Sequence, residues 1–205
     1  MIELDVLRLR DARLVLAHDY LDAERREALS LAQGLEAFTR PPLDRIELDC
    51  DLKLPGGEDR LAGALREHGL LERAMVSTME TSSLERLREI EPELRLGWTY
   101  PKVGRDWSRS RWARPAVAGA LWLMRHRLPR FAARTLPGLG VHAMWAYWPL
   151  ISRRLIEAAE SAGVEVIAWT VDDLAWMRRL RELGVHGICT NDPRLFQELG
   201  RVGRG

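Results

Sequence analysis

Ile2-Glu3-Leu4-Asp5-Val6-Leu7-Arg8-Leu9-Arg10-Asp11-Ala12-Arg13-Leu14-Val15-Leu16-Ala17-His18-Asp19 holds two β-like runs separated by seven residues. Ile2, Leu4 and Val6 alternate with Glu3 and Asp5, which is the period of a strand. A second run, Leu14–His18, follows. Seven residues are too few for a parallel crossover, so the two runs form an antiparallel pair turning around Arg10-Asp11. In that register Glu3 lies opposite His18 and Asp5 opposite Leu16. Glu3, Asp5 and His18 then share one face. An edge hairpin with a solvated polar face accounts for the same alternation without any chemistry.

Working outward, further β-like runs are expected at Arg45–Leu52, Ala74–Thr78, Leu94–Trp98, Val141–Trp148, Glu165–Val171 and Gly187–Thr190. Helical patterns lie between them. Glu58–His68 puts Leu61, Ala64 and Leu65 on one face. Ser82–Ile90 opens on two serines ahead of Glu85. Leu150–Ala162 stops at Gly163, and Asp173–Leu183 runs from an acidic cap to Gly184. Asp192-Pro193 pairs a capping residue with a proline suited to the first helical position.

Repeated strand–helix units mean a parallel sheet flanked by helices. No glycine-rich phosphate fingerprint follows any strand, so an open dinucleotide-binding sheet has no support. Polar residues recur at the C-terminal ends of several strands: Asp5, Asp51 and Lys53, Trp169-Thr170, Thr190-Asn191-Asp192. A closed barrel gathers such ends on one rim. The expected fold is an α/β TIM-type (β/α)8 barrel. Because Leu14–His18 is a hairpin arm, only seven staves remain, and the barrel is expected to lack about one strand–helix unit at its N-terminus.

The 205 residues fit one incomplete barrel domain over 1–205, with a basic Trp/Arg-rich insertion at about 101–138. Lys+Arg is 31 against 30 for Asp+Glu, so bulk charge gives no reason to expect nucleic acid. Cys50 and Cys189 sit in apolar runs and read as reduced core thiols. Acidic residues directly after Met1 argue against a signal peptide, and the apolar stretch Pro115–Met124 is too short to span a bilayer. The expected compartment is the cytoplasm.

Ile46-Glu47-Leu48-Asp49-Cys50-Asp51-Leu52-Lys53 alternates over eight residues, apolar at even positions and charged at odd ones. Three acids and one lysine on the inner face of a narrow barrel repel one another unless something compensates them. A hard divalent cation, Mg²⁺ or Ca²⁺, takes carboxylate oxygens. Glu3, Asp5 and Asp51 are the candidate ligands, with Lys53 beside them as a cationic clamp. Glu47 and Asp49 read as structural. Metal and lysine together suit an anionic substrate, phosphate first.

Ile2-Glu3-Leu4-Asp5-Val6, then His18-Asp19, Asp51-Leu52-Lys53, Ala168-Trp169-Thr170-Val171-Asp172 and Gly184 through Pro193 resemble, in order and spacing, the glycerophosphodiester phosphodiesterase family. The resemblance covers essentially the whole chain. It implies a TIM-barrel enzyme, a phosphoric diester hydrolase. With a divalent metal, it splits glycerophosphodiesters into glycerol 3-phosphate and an alcohol. It implies Glu3, Asp5 and Asp51 as metal ligands, with Asp51 standing where the family usually has glutamate. His18 matches a catalytic general acid/base, Lys53 a phosphate-contacting lysine, and Trp169 a tryptophan lining the substrate pocket. The family's first strand, ending in His-Arg with a Pro-Glu-Asn segment after it, has no counterpart here.

Arg105–Arg134 carries eight arginines, with Trp107, Trp112 and Trp122 among them and only Asp106 against. One reading is a cap that touches an anionic lipid surface with arginine and tryptophan at the boundary. Others are nucleic-acid stacking and an outer helix with a solvated basic face. The alternatives to glycerophosphodiester hydrolysis are a lysophospholipid or sphingolipid phosphodiesterase of the same superfamily, and an impaired barrel that binds phosphate ligands or partners without turnover.

Overall fold

In a computed structural model, residues 1–102 and 114–201 are described, and the chain divides into two compact units, Met1–Trp98 and Thr99–Gly205. In unit 1 the elements are β1 (Ile2–Arg8), β2 (Leu14–Leu16), α1 (Tyr20–Arg25), α2 (Leu31–Ala37), β3 (Leu48–Leu52), α3 (Glu58–Glu67), β4 (Ala74–Thr78) and α4 (Thr81–Ile90). β5 (Arg95–Tyr100) runs across the boundary. The strand order is β2-β1-β3-β4-β5, with β1-β2 antiparallel and the other pairs parallel. Leu48, Cys50 and Leu52 are fully buried, and so are Leu61 and Leu65 of α3 and Leu84 and Leu87 of α4. A strand buried on both sides with amphipathic helices following it is what a parallel stave requires.

Unit 2 holds α5 (Arg114–Leu139), β6 (Ala143–Tyr147), α6 (Arg153–Glu160), β7 (Glu165–Trp169), α7 (Leu174–Leu183), β8 (Gly187–Ile188) and α8 (Arg194–Arg201). Its strands pair parallel in the order β6-β7-β8. The caps expected from sequence are present. Asp173 accepts from the Trp176 amide, Gly184 adopts φ +100° at the end of α7, and Asp192 accepts from the Arg194 amide. Among the described residues there are seven parallel strands and one antiparallel arm, the expected count.

The hairpin register differs from expectation. Val6 pairs with Leu16 and the Ala17 amide reaches the Asp5 carbonyl, so Asp5 faces Ala17 and Glu3 is not opposite His18. The cause is one extra loop residue. Leu9 and Arg13 close a three-residue loop in which the Ala12 amide bonds the Leu9 carbonyl and Ala12 takes φ +66°. β2 then ends at Leu16, and His18 lies beyond the ladder, where Asp19 caps α1. Two further expectations shift. β3 starts at Leu48 and not Arg45. α4 starts at Thr81 with no side-chain cap, because the Ser83 hydroxyl is turned to Glu58 at 2.5 Å.

The Arg/Trp-rich stretch falls partly on residues 103–113, outside the described residues. From Arg114 it is helix, with Leu128, Ala132, Leu136 and Leu139 buried at helical spacing. Among the described residues no helix is long and apolar enough to cross a membrane.

An alanine in the left-handed region costs roughly 1–2 kcal/mol that glycine largely avoids. Ala12→Gly is therefore expected to stabilise the chain by up to about 1 kcal/mol once the greater freedom of unfolded glycine is set against that relief. Urea unfolding of the two proteins checks this, and a destabilised glycine variant would contradict the loop geometry.

Candidate functional site

Register places the acids. β1 and β3 pair with Glu3 beside Asp49 and Asp5 beside Asp51, and β4 sets Ser77 beside Asp51. In-register neighbours share a face. Glu3, Asp5, Asp49, Asp51 and Ser77 thus stand on one face of the unit 1 sheet. Carboxylate oxygens of Glu3, Asp5 and Asp51 lie within 4.8 Å of one another. The Lys53 ammonium joins two of them, at 2.5 Å from Asp5 Oδ1 and in contact with Asp51 Oδ2.

Electrostatics sort the four carboxyls. Burial pushes Asp49 well above the usual carboxylate range, against the pull of the Ser77 hydroxyl donating to its Oδ2 at 2.6 Å. Loss of water, and next the Asp5 carboxylate, push Glu3 up to about 8. Much of Glu3 is exposed at the sheet edge, which tempers the first cause. Asp51 is raised by burial, with Lys53 opposing. Burial works against the Lys53 charge, yet Asp51 and Asp5 outweigh it and hold its pKa above the ordinary lysine value.

The buried Asp51 Oδ1 has no hydrogen-bond partner. An orphaned carboxylate oxygen beside two more acids is the donor set a hard divalent cation uses. Glu3, Asp5 and Asp51 therefore fit a divalent metal. Glu47, read as structural, pairs with Arg95 at 3.1 Å.

His18 sits one residue past the Ala17 amide that bonds Asp5. Its side chain is largely exposed, and its charge bears on Asp51. Nδ1 lies 3.3 Å from Asp19 Oδ2. Asp19 is itself held by the Asp22 amide, which together with His18 keeps its carboxyl below the usual range. A proton held on Nδ1 leaves Nε2 for chemistry. The orienting role of Asp19 was legible as His-Asp adjacency and went unread.

Trp169 belongs to unit 2, at the end of β7. Its indole N–H donates to the Trp145 carbonyl at 2.9 Å, and its ring lies 5.7 Å from that of Tyr147. Thr190 and Asn191, candidate rim residues, are both engaged by Asp172. Its Oδ1 accepts from the Thr190 hydroxyl and the Asn191 amide, and its Oδ2 from the Asn191 side chain, so this trio ties the loop after β7 to the loop after β8. Cys50 and Cys189 form no disulfide, and burial pushes the Cys50 thiol up beyond any reactive range.

With this geometry in view, the sequence matches the Glycerophosphoryl diester phosphodiesterase family over residues 50–195, most of the chain. The chain belongs to that family. It is 26% identical over 236 residues to a glycerophosphodiester phosphodiesterase of Caldanaerobacter subterraneus subsp. tengcongensis, covering 98% of this chain and 86% of that protein. Among solved structures it resembles a glycerophosphodiester phosphodiesterase from Parabacteroides distasonis, with TM-score 0.73, 16% identity and coverage of 98% and 84% of the two chains. It also resembles an Oleispira antarctica phosphodiesterase solved with its product sn-glycerol-3-phosphate, with TM-score 0.66, 15% identity and coverage of 97% and 84%. The fold is α/β of the TIM-barrel class.

The Glu3 shift has a stability consequence. From its ordinary value near 4.5 to about 8, the folded chain keeps a proton on Glu3 that the unfolded chain has lost. Stability therefore falls as pH rises through that window. Without added metal, the thermal midpoint is expected to drop between pH 5 and pH 8, and Glu3→Gln to flatten that slope. Mg²⁺ or Ca²⁺ should raise the midpoint more at pH 8 than at pH 5. A slope untouched by Glu3→Gln would argue that Glu3 does not share this site.

Proposed function

We propose that the chain hydrolyses glycerophosphodiesters to glycerol 3-phosphate and an alcohol, with Glu3, Asp5 and Asp51 holding a divalent metal, Mg²⁺ or Ca²⁺. The observation that carries this reading is the convergence of three carboxylates, one with a buried unpartnered oxygen, beside a charged lysine. Family membership supplies the reaction class, and the product bound by the Oleispira antarctica relative is the product this reaction would give.

Bound there, the metal would supply a Lewis acid that polarises a phosphoryl oxygen. Lys53 is already held charged by Asp5 and Asp51, so it would meet the anionic phosphate without an added proton. His18 would move a proton at Nε2, with Nδ1 steadied by Asp19. Asp49 ties β3 to β4 through the Ser77 hydroxyl. Trp169, which is steadied through its N–H on the Trp145 carbonyl, is assigned to the substrate pocket.

The Arg/Trp-rich stretch 105–134 is assigned a peripheral contact with an anionic lipid surface. Its described part supports this with Trp122 exposed over 62% of its surface. The site chemistry by itself admits a water-soluble diester, and hydrolysis of such a diester is what tests the reaction.

Glycerol 3-phosphate release from glycerophosphocholine is expected only with Mg²⁺ or Ca²⁺ and to stop in EDTA. His18→Ala is expected to lower kcat/KM about 10²–10⁴-fold, the usual loss for one general acid/base. Lys53→Met is expected to lower it about 10²–10³-fold, as removal of one charge-stabilising donor does. Turnover indifferent to metal, or His18→Ala with undiminished rate, would defeat the mechanism.

A further inference from the structure

From Trp107 to Ile156 the chain has no acidic residue and nine arginines. In unit 1, by contrast, six arginines pair with acids within the fold. Arg13, Arg26, Arg40, Arg66, Arg86 and Arg95 each pair with a carboxylate. Among the described residues of unit 2, Arg125, Arg127, Arg130, Arg153 and Arg154 stand in no ion pair. The excess has a focus. Arg125 and His126 of α5, with Ser152, Arg153 and Arg154 at the start of α6, line a cavity of about 390 Å³.

That placement is electrostatically costly. Arg153 and Arg154 occupy the first turn of α6, where the helix dipole presents its positive end. Helices favour acids there, and α6 has none in that turn. The Ser152 hydroxyl caps one amide, that of Leu155. Arg125 is steered by a 2.8 Å hydrogen bond from Nη1 to the Pro149 carbonyl, and His126 Nδ1 by one of 2.7 Å to the Trp122 carbonyl. Three arginines and a helix N-terminus thus line a space that an anion would neutralise.

The first half of α5 says which anion. Pro115–Met124 carries no charge, and of Val117–Met124 no residue is buried; the first buried side chain described on α5 is Leu128. Trp122 stacks on His126 with ring centroids 4.2 Å apart and stays 62% exposed, and Leu123 is 42% exposed. An uncharged helical segment with no fully buried side chain from Val117 to Met124, followed by Arg125 and Arg127 outside any ion pair, is complementary to an anionic lipid surface. Beside the cavity, Trp148 and Trp176 stack at 4.4 Å with Arg179 over Trp176, the amphipathic pairing found at membrane boundaries.

We propose that the cavity formed by Arg125, His126, Ser152, Arg153 and Arg154 grips the phosphate of an anionic phospholipid headgroup while the apolar first half of α5 lies in the lipid surface. This rests on the lipid contact proposed above and deepens it by naming the group held and the residues that hold it. It is independent of the carboxylate site in unit 1.

Co-sedimentation with vesicles tests it, in EDTA so that no metal bridges lipid to the unit 1 carboxylates. Binding is expected to phosphatidylcholine vesicles containing phosphatidylglycerol, and to be lost on pure phosphatidylcholine and at high salt. One basic residue at an anionic surface is worth roughly fivefold, so Arg153→Gln with Arg154→Gln should weaken binding roughly 30-fold. Leu123→Asp should also weaken it, while glycerophosphocholine hydrolysis and the circular dichroism of every variant stay unchanged. Inorganic phosphate matched to the exposed lipid phosphate should leave vesicle binding intact. Equal binding to both vesicle types, or binding undiminished in the double arginine variant, overturns the proposal. Displacement by inorganic phosphate overturns it too, in favour of a free-phosphate site. Hydrolysis lost with vesicle binding kept would instead count against the unit 1 reading alone.

Discussion

The structure of unit 1 is governed by a repulsion. Parallel pairing of β1 with β3 in register sets Glu3 against Asp49 and Asp5 against Asp51 on one sheet face. Four carboxyls so placed cannot all ionise without help. The fold resolves this in three ways at once. Full burial pushes the Asp49 carboxyl well above the usual range, and it takes a hydrogen bond from Ser77. Lys53, two residues beyond Asp51 on the same strand face, reaches both Asp51 and Asp5. Glu3 is left with a raised pKa. What remains is three carboxyls against one lysine, with Asp51 Oδ1 unsatisfied, a donor set that fits a divalent cation. The donor set and the strand register are thus one constraint seen from two sides.

That constraint was largely legible in the sequence because strand alternation has a period of two. Charged residues at odd positions from Glu47 to Lys53 must share a face wherever the strand goes, and so must Glu3 and Asp5. The order of strands and helices was legible for the same reason, since apolar periodicity and the caps Asp173, Gly184 and Asp192 are local signals. The hairpin register was not. It turned on whether the loop held two residues or three, and the deciding residue, Ala12, is an alanine in a conformation that glycine or asparagine usually marks. One residue of slip moves every partner, so the alignment of Glu3 with His18 failed while the neighbourhood of Asp5 and His18 survived through Ala17.

Other gaps have equally particular causes. α2 begins with a capping box between Ser30 and Gln33, a sequence signature that was present and unread because the helix is only seven residues long. Ser83 looked like a cap because serine is a good one. Its hydroxyl was wanted elsewhere, by the buried Glu58, and no local rule foresees a partner 25 residues away. Thr190 and Asn191 looked like rim chemistry. Asp172 takes their hydroxyl and amide donors, and its carboxyl is held below the usual range first by the Asn191 backbone amide. Polar residues at strand ends therefore have two fates in this fold, loop tethering and a place in the candidate site. Hydrogen-bond saturation separates them: the trio at Asp172 is satisfied internally, whereas Asp51 is not.

The same criterion distinguishes the two units in their charges. A net charge of +1 looks neutral, yet it hides opposite internal balances. Unit 1 pairs six of its arginines with carboxylates and gathers Glu3, Asp5 and Asp51 at one point. Unit 2 leaves arginines in deficit of an anion at another, and sets two of them in the first turn of α6, where the backbone already contributes positive potential. Isolated surface charges seldom need a reason, because water solvates them at little cost. Clustering is different, since each added like charge raises the cost of the next, and sequences that gain nothing from it intersperse the opposite sign. Fifty consecutive residues without an acid are hard to reconcile with solvation alone. In each unit, the unbalanced charge carries the proposal made for it: a cation among the carboxylates, and an anion among the arginines.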